Sequence, residues 1–105
     1  MLKESYLVNM KNLPKDSIKI IVTRTAKSLL SPSWVLLNDY KSGKIDWEGY
    51  VKRFKEEMDT NVHKNMMREI KKLSEKKDVY LICYEAPGKN CHRHILMEMI
   101  NNMEE

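Results

Sequence analysis

VYLICYEAPGKNCHRHILMEMI, Val79 to Ile100, is the stretch whose reading decides the fold. Val79 to Tyr84 shows no polar alternation, which fits a short central strand covered on both faces. Pro87 and Gly88 then mark a polar loop, and Asn90-Cys91-His92-Arg93 opens a helix that packs Ile95, Leu96, Met99 and Ile100 on one side, to about Met103. The scarce reactive residue types gather here: both cysteines, two of the three histidines and an arginine in the first helical turn. A helix start leaves backbone N–H groups without intrahelical partners and carries a positive partial charge, so after a buried strand it makes an anion site.

Working outward, Asp78 marks the end of a helix opened by Thr60 or Asn61, with Val62, Met66, Ile70 and Leu73 expected inward. Before it, Asp46 caps a helix in which Trp47, Tyr50, Val51, Phe54 and Met58 recur at helical spacing, a core stripe rather than a base-stacking platform. Ser31 is read as the N-cap of a further helix with Pro32 at its first position, running through Trp34, Leu37 and Tyr40 and stopping near Gly43. Near the start, Ser5 to Met10 is a short strand candidate, followed by turn signals at Asn12, Pro14 and Asp16-Ser17. Ile18 to Thr23 is a stronger, β-branched strand. The linker between these two strands looks too short for a crossover helix, so as neighbours they would be antiparallel. The expectation is a single α/β domain over residues 1–105, a small sandwich of about three strands in a mixed sheet and four helices. The predicted core includes Trp47, Tyr50, Phe54, Ile70, Leu81, Ile95 and Met99.

Composition narrows the classes. Hydrophobic residues at 42% and charged residues at 32% predict a folded chain, and only 3 glycines and 3 prolines predict few loops. Lys+Arg at 19 against Asp+Glu at 15 gives +4, with the lysines scattered. Nucleic-acid binders concentrate such charge on one face with aromatics interleaved, so nucleic acid is the disfavoured partner. No apolar run is long enough to span a membrane, and no signal peptide is read. With 2 cysteines and no secretory signal, the expected setting is a reducing cytoplasm. The compact, Lys-, Asn- and Met-rich chain would suit a phage or other mobile-element gene. An exposed sheet edge would suit a homodimer.

Three segments carry a resemblance, in one order along most of the chain: Ile21-Val22-Thr23-Arg24; Ser31-Pro32 followed by YKSGKIDWEGYVKRFKEEM, Tyr40 to Met58; and LICYE with Pro87 and Cys91-His92-Arg93. The pattern resembles the domain of unknown function 488 family, of the Cys-His-Arg loop type. His94 departs from the small polar residue expected there, and Thr25 to Leu30 is shorter than usual. The resemblance implies an α/β fold with a polar pocket and leaves the activity open.

Arg24 leaves the end of the second strand and would share a crevice with Cys83 and the helix start, provided their strands run parallel. The expected function is a binding module for a small anionic ligand, a nucleotide or nucleotide-derived signal molecule to be sensed or sequestered. The phosphate-binding loop would draw on Arg24, Tyr84, Lys89, Asn90, Cys91, His92 and Arg93, with Tyr84 or a tryptophan covering a base. The alternative is a thiol-dependent enzyme, phosphatase- or sulfurtransferase-like, in the same pocket. Catalytic candidates are Cys91, favoured as a thiolate by the helix start, with His92 as base, and Cys83. A Cys-x5-Arg cradle is not matched, since the sixth residue after Cys83 is Lys89. This weighs toward binding rather than turnover. No cofactor is expected. No metal is expected either, because Cys83, Cys91, His92 and His94 lack paired zinc-type spacing and the two histidines point apart.

Overall fold

A computed structural model of the chain describes residues 1–23, 28–84 and 91–103. Strand β1 is Leu2–Tyr6, followed by a 3-10 helix, Leu7–Asn12, and strand β2, Ile18–Ile21. Helices α1 (Trp34–Lys41), α2 (Trp47–Glu57) and α3 (Asn61–Lys76) lead to strand β3 (Val79–Cys83) and helix α4 (His92–Asn101). The sheet order is β1-β3-β2, with the apolar strand central as its composition requires.

Both pairings are parallel: Leu2 lies opposite Val79 and Tyr6 opposite Cys83, while Ile18 lies opposite Val79 and Ile21 opposite Ile82. The expected mixed sheet is therefore corrected to an all-parallel one. The mistaken premise was that β1 and β2 are neighbours. β3 lies between them, and residues 7–17 need only climb back along a strand of five residues, roughly 16 Å. A 3-10 helix, rising about 2 Å per residue, covers most of that distance.

The first strand also begins earlier than Ser5 and ends at Tyr6. Its charged residues hid it: Lys3 and Glu4 sit on an edge strand, where charge is tolerated. The expected strand residues Leu7 to Met10 turn instead into the 3-10 helix, which Asn9 ties back by donating to Ser5 Oγ at 3.1 Å. Lys3 Nζ meets Asp78 Oδ2 at 3.2 Å. That hydrogen bond holds the Asp78 carboxyl below its ordinary 3.8 and the Lys3 ammonium above its ordinary 10.5. Asp78 thus contributes stability above the ordinary carboxylate range, lost as pH falls through its lowered value. Lys3 contributes below its ordinary value and loses it as pH rises through the raised one. Asp78→Asn should accordingly flatten the acid limb of a stability-against-pH profile.

Caps set the helices. Asp46 Oδ1 accepts from Gly49 N at 2.8 Å and Thr60 Oγ1 from His63 N at 3.2 Å, as the sequence predicts. Gly43, with φ +82°, closes the turn after α1 in a conformation that L side chains rarely adopt. The cap of α1 is Ser33 rather than Ser31, with Trp34 the first helical residue. Ser33 Oγ accepts from Leu36 N at 3.1 Å, while Glu57 takes hydrogen bonds from Ser33 N at 2.9 Å and Ser33 Oγ at 2.5 Å. Glu57, distant in sequence, thus selects the start. Ser33→Ala should cost about 1–2 kcal/mol in the denaturation midpoint, since it removes the cap and half the Glu57 contact.

The core joins Val22, Leu30, Leu36, Tyr50, Phe54, Met58, Met67, Ile70, Val79, Leu81, Ile95, Leu96 and Ile100, with Trp47 and Met99 half-buried against it. Trp34 is half-exposed, and Leu36 is the buried residue of α1. On α3 the buried face is Met67, Ile70 and Ser74, whereas Val62 is 61% exposed and Met66 and Leu73 are also outward. Ile70 is common to both faces, and the helix is turned by somewhat less than one residue, roughly 80°, from the expected face. It packs on β1, β3 and α4, and the Ser74 hydroxyl on that face donates to Lys71 O at 2.6 Å. Among the described residues no helix is long and apolar enough to cross a membrane.

Candidate functional site

A parallel sheet brings the carboxyl ends of all its strands to one edge. Tyr6, Ile21 and Cys83 end the three strands there, and α4 begins at the same edge. Val22 prolongs β2 by donating its N–H to Ile82 O at 2.9 Å, so it still runs beside the central strand.

Cys91 is the N-cap of α4, extended at φ −151° and ψ 146°, with no side-chain cap hydrogen bond. Its sulfur turns inward instead. Cys91 Sγ lies 2.6 Å from Cys83 Sγ, and both residues are buried thiols. His92, the next residue, places Nδ1 3.6 Å from Cys91 Sγ. Its Nε2 lies 2.5 Å from Val22 O. A carbonyl oxygen can only accept, so Nε2 carries a proton, and in a neutral ring the lone pair of Nδ1 then faces the Cys91 sulfur. The Phe54 ring, tilted 59° at a centroid distance of 5.6 Å, packs against the imidazole. Tyr50 stacks behind Phe54 at 6.3 Å and Trp47 behind Tyr50 at 5.0 Å.

The four-residue metal set considered from sequence does not assemble as such. His94 turns to β1, its Nδ1 3.0 Å from Glu4 Oε1. Cys83, Cys91 and His92 do come together, their donor atoms all within 4.8 Å of one another. These are soft thiolate and imidazole donors of the kind that zinc and copper take.

Arg93 also faces β1. It is 0% exposed, donates from Nη1 to Ser5 O at 2.7 Å and pairs through Nε with Glu4 Oε1 at 3.1 Å. Its charge is thus already engaged within the fold, with the Glu4 carboxylate at ion-pair distance from Arg93 and His94 together. Tyr84, 58% exposed, follows β3 at the edge. Arg24, Lys89 and Asn90, with Pro87 and Gly88 of the expected phosphate-binding loop, lie outside the described residues.

Sequence reasoning missed three participants: Glu4, the Val22 carbonyl and Phe54 in its role beside His92. Glu4 left no signal beyond an acidic residue in an unrecognised strand. A backbone carbonyl leaves none at all. Phe54 read correctly as core, and only tertiary packing shows what it supports.

A family model described as the active DUF488-N3 subclade matches residues 7–104. No curated protein and no solved structure matches the chain.

Proposed function

The chain belongs to the DUF488 family, and from that premise we propose that it is a thiol-dependent enzyme acting on a small anionic ligand, nucleotide or nucleotide-derived, at the carboxyl edge of the sheet. The observation that carries this is the Cys91–His92 pair: a thiol 3.6 Å from an imidazole nitrogen whose tautomer is fixed by Val22 O. A nucleophile beside a base, with the base oriented by a third group, is the arrangement that covalent catalysis requires. The description of the subclade as active agrees with turnover without naming a reaction.

In this reading His92 Nδ1 takes the Cys91 proton and the thiolate attacks the electrophilic atom of the ligand. The first N–H groups of α4 favour the ligand's negative charge. Arg24 and Lys89 are the side chains proposed to neutralise it and Asn90 one proposed to donate hydrogen bonds to it, with Tyr84 at the rim. Arg93 is better understood as the group that locks α4 to β1, because Glu4 and Ser5 hold it. Working thiols suit a reducing cytoplasm.

The test incubates the protein with a panel of linear and cyclic nucleotides, then denatures it by heat and analyses what is released. Product in catalytic excess, lost in Cys91→Ser while substrate still binds, is the expected result. Release of intact ligand in stoichiometric amount, equal in wild type and Cys91→Ser, would replace the enzyme by a sequestering protein. His92→Asn should lower turnover by about 100-fold and remove the limb of the pH–rate profile that reports the base.

A further inference from the structure

A single nucleophile and its base leave Cys83 without a task, yet its sulfur is nearer to Cys91 Sγ than the imidazole is, at 2.6 Å against 3.6 Å. The two cysteines come from separate elements, the end of the central strand and the cap of α4. Their meeting follows from the way α4 docks on the sheet and not from local spacing. Neither thiol fills a purely apolar hole, since the two sulfurs meet beside a histidine. We propose that Cys83 is a second reacting thiol, which resolves the oxidised or sulfur-linked form of Cys91 as an intramolecular disulfide. This deepens the proposed function and rests on Cys91 being the attacking thiol.

With a hydroperoxide as the oxidant, the steps balance as follows. His92 Nδ1 accepts the Cys91 proton, and the thiolate attacks the terminal peroxide oxygen. An S–O bond forms, the O–O bond breaks, and the departing oxygen takes the proton back from His92. Cys91 is now a sulfenic acid. Cys83 Sγ then attacks the Cys91 sulfur. The S–S bond forms, the S–O bond breaks, and the hydroxyl leaves as water with the Cys83 proton. Two thiols are oxidised and one peroxide is reduced. The sulfur atoms already touch, so the second step needs no rearrangement of β3 or α4. It should outrun both overoxidation and pairing between chains.

Hydrogen peroxide is the probe. The full chain is reduced, treated with one equivalent, and analysed by thiol titration and by peptide mapping without reductant. We expect loss of both titratable thiols and a single cross-link joining the peptides of Cys83 and Cys91. Cys83→Ser should stop at a sulfenic acid on Cys91, captured by a dimedone-type reagent, and Cys83→Ala should do the same if either variant is perturbed in its circular dichroism. His92→Asn should slow the first step about 100-fold. Sulfinic acid on Cys91 in the wild type with Cys83 still reduced, or disulfides only between chains, would overturn the proposal. Either of those results, with nucleotide turnover still lost in Cys91→Ser, would overturn the resolving role of Cys83 and leave Cys91 as the nucleophile. Loss of that turnover in neither cysteine variant would instead remove the enzyme reading itself.

Discussion

Arg93→Ala should lower the free energy of unfolding by about 3–5 kcal/mol, the range for removing one partner of a buried ion pair. The guanidinium is wholly buried in the first turn of α4 and bridges to β1 through Ser5 O and Glu4. Truncation leaves a carbonyl without its donor, a carboxylate without its main partner and a cavity under the helix. For a domain of this size, stable by about 5–15 kcal/mol in all, that is a large fraction, and Tm should fall by on the order of 15 °C. Arg93→Lys should fall between the two, since a point charge cannot serve both acceptors as a planar fork does. Urea denaturation with an unchanged m-value is the check. A variant as stable as wild type that loses only ligand binding would return Arg93 to the anion site.

Phe54→Ala should cost a similar amount, about 3–5 kcal/mol, because the ring is fully buried between Tyr50 and His92. Its effect should not stop at stability. The cavity would open on the face of the imidazole, and His92 would lose the wall that holds it toward Cys91. The rate of Cys91 oxidation by peroxide should therefore fall in Phe54→Ala at temperatures where the variant is folded. Phe54→Leu, which keeps most of the volume, should cost less than about 1.5 kcal/mol and retain most of that rate. An unchanged midpoint in Phe54→Ala would mean that the aromatic stripe of α2 does not pack as described.

The two variants separate neighbouring residues of the same helix start. Arg93 fixes where α4 sits on the sheet, and Phe54 fixes how His92 is presented. They act on different partners, so their destabilisations should be close to additive, and a coupling well above about 0.5 kcal/mol would show that α4 transmits one to the other.

Signals confined to a few neighbouring residues were enough for part of this protein. The apolar run Val79 to Tyr84 had to be a covered strand, Asp46 had to be a cap and Thr60 or Asn61 a helix start, and the spacing from Trp47 to Met58 had to turn one face of α2 inward. Each depends on periodicity or on a hydrogen bond closed within about one turn. The grouping of Cys91, His92 and Arg93 at a helix start was legible for the same reason. What those residues do was not. Whether β1 and β2 are neighbours depends on where β3 inserts, some sixty residues on. The start of α1 depends on Glu57, and the inward face of α3 on its packing against β1, β3 and α4. Most consequentially, adjacent side chains of one helix turn diverge by about 100°. Thus Arg93 goes to β1 and Glu4 while His92 goes to Val22 and Cys91 meets Cys83. The sequence by itself determined which reactive groups stand together at the head of α4; only the tertiary structure decided their partners, because long-range packing chooses what each direction meets.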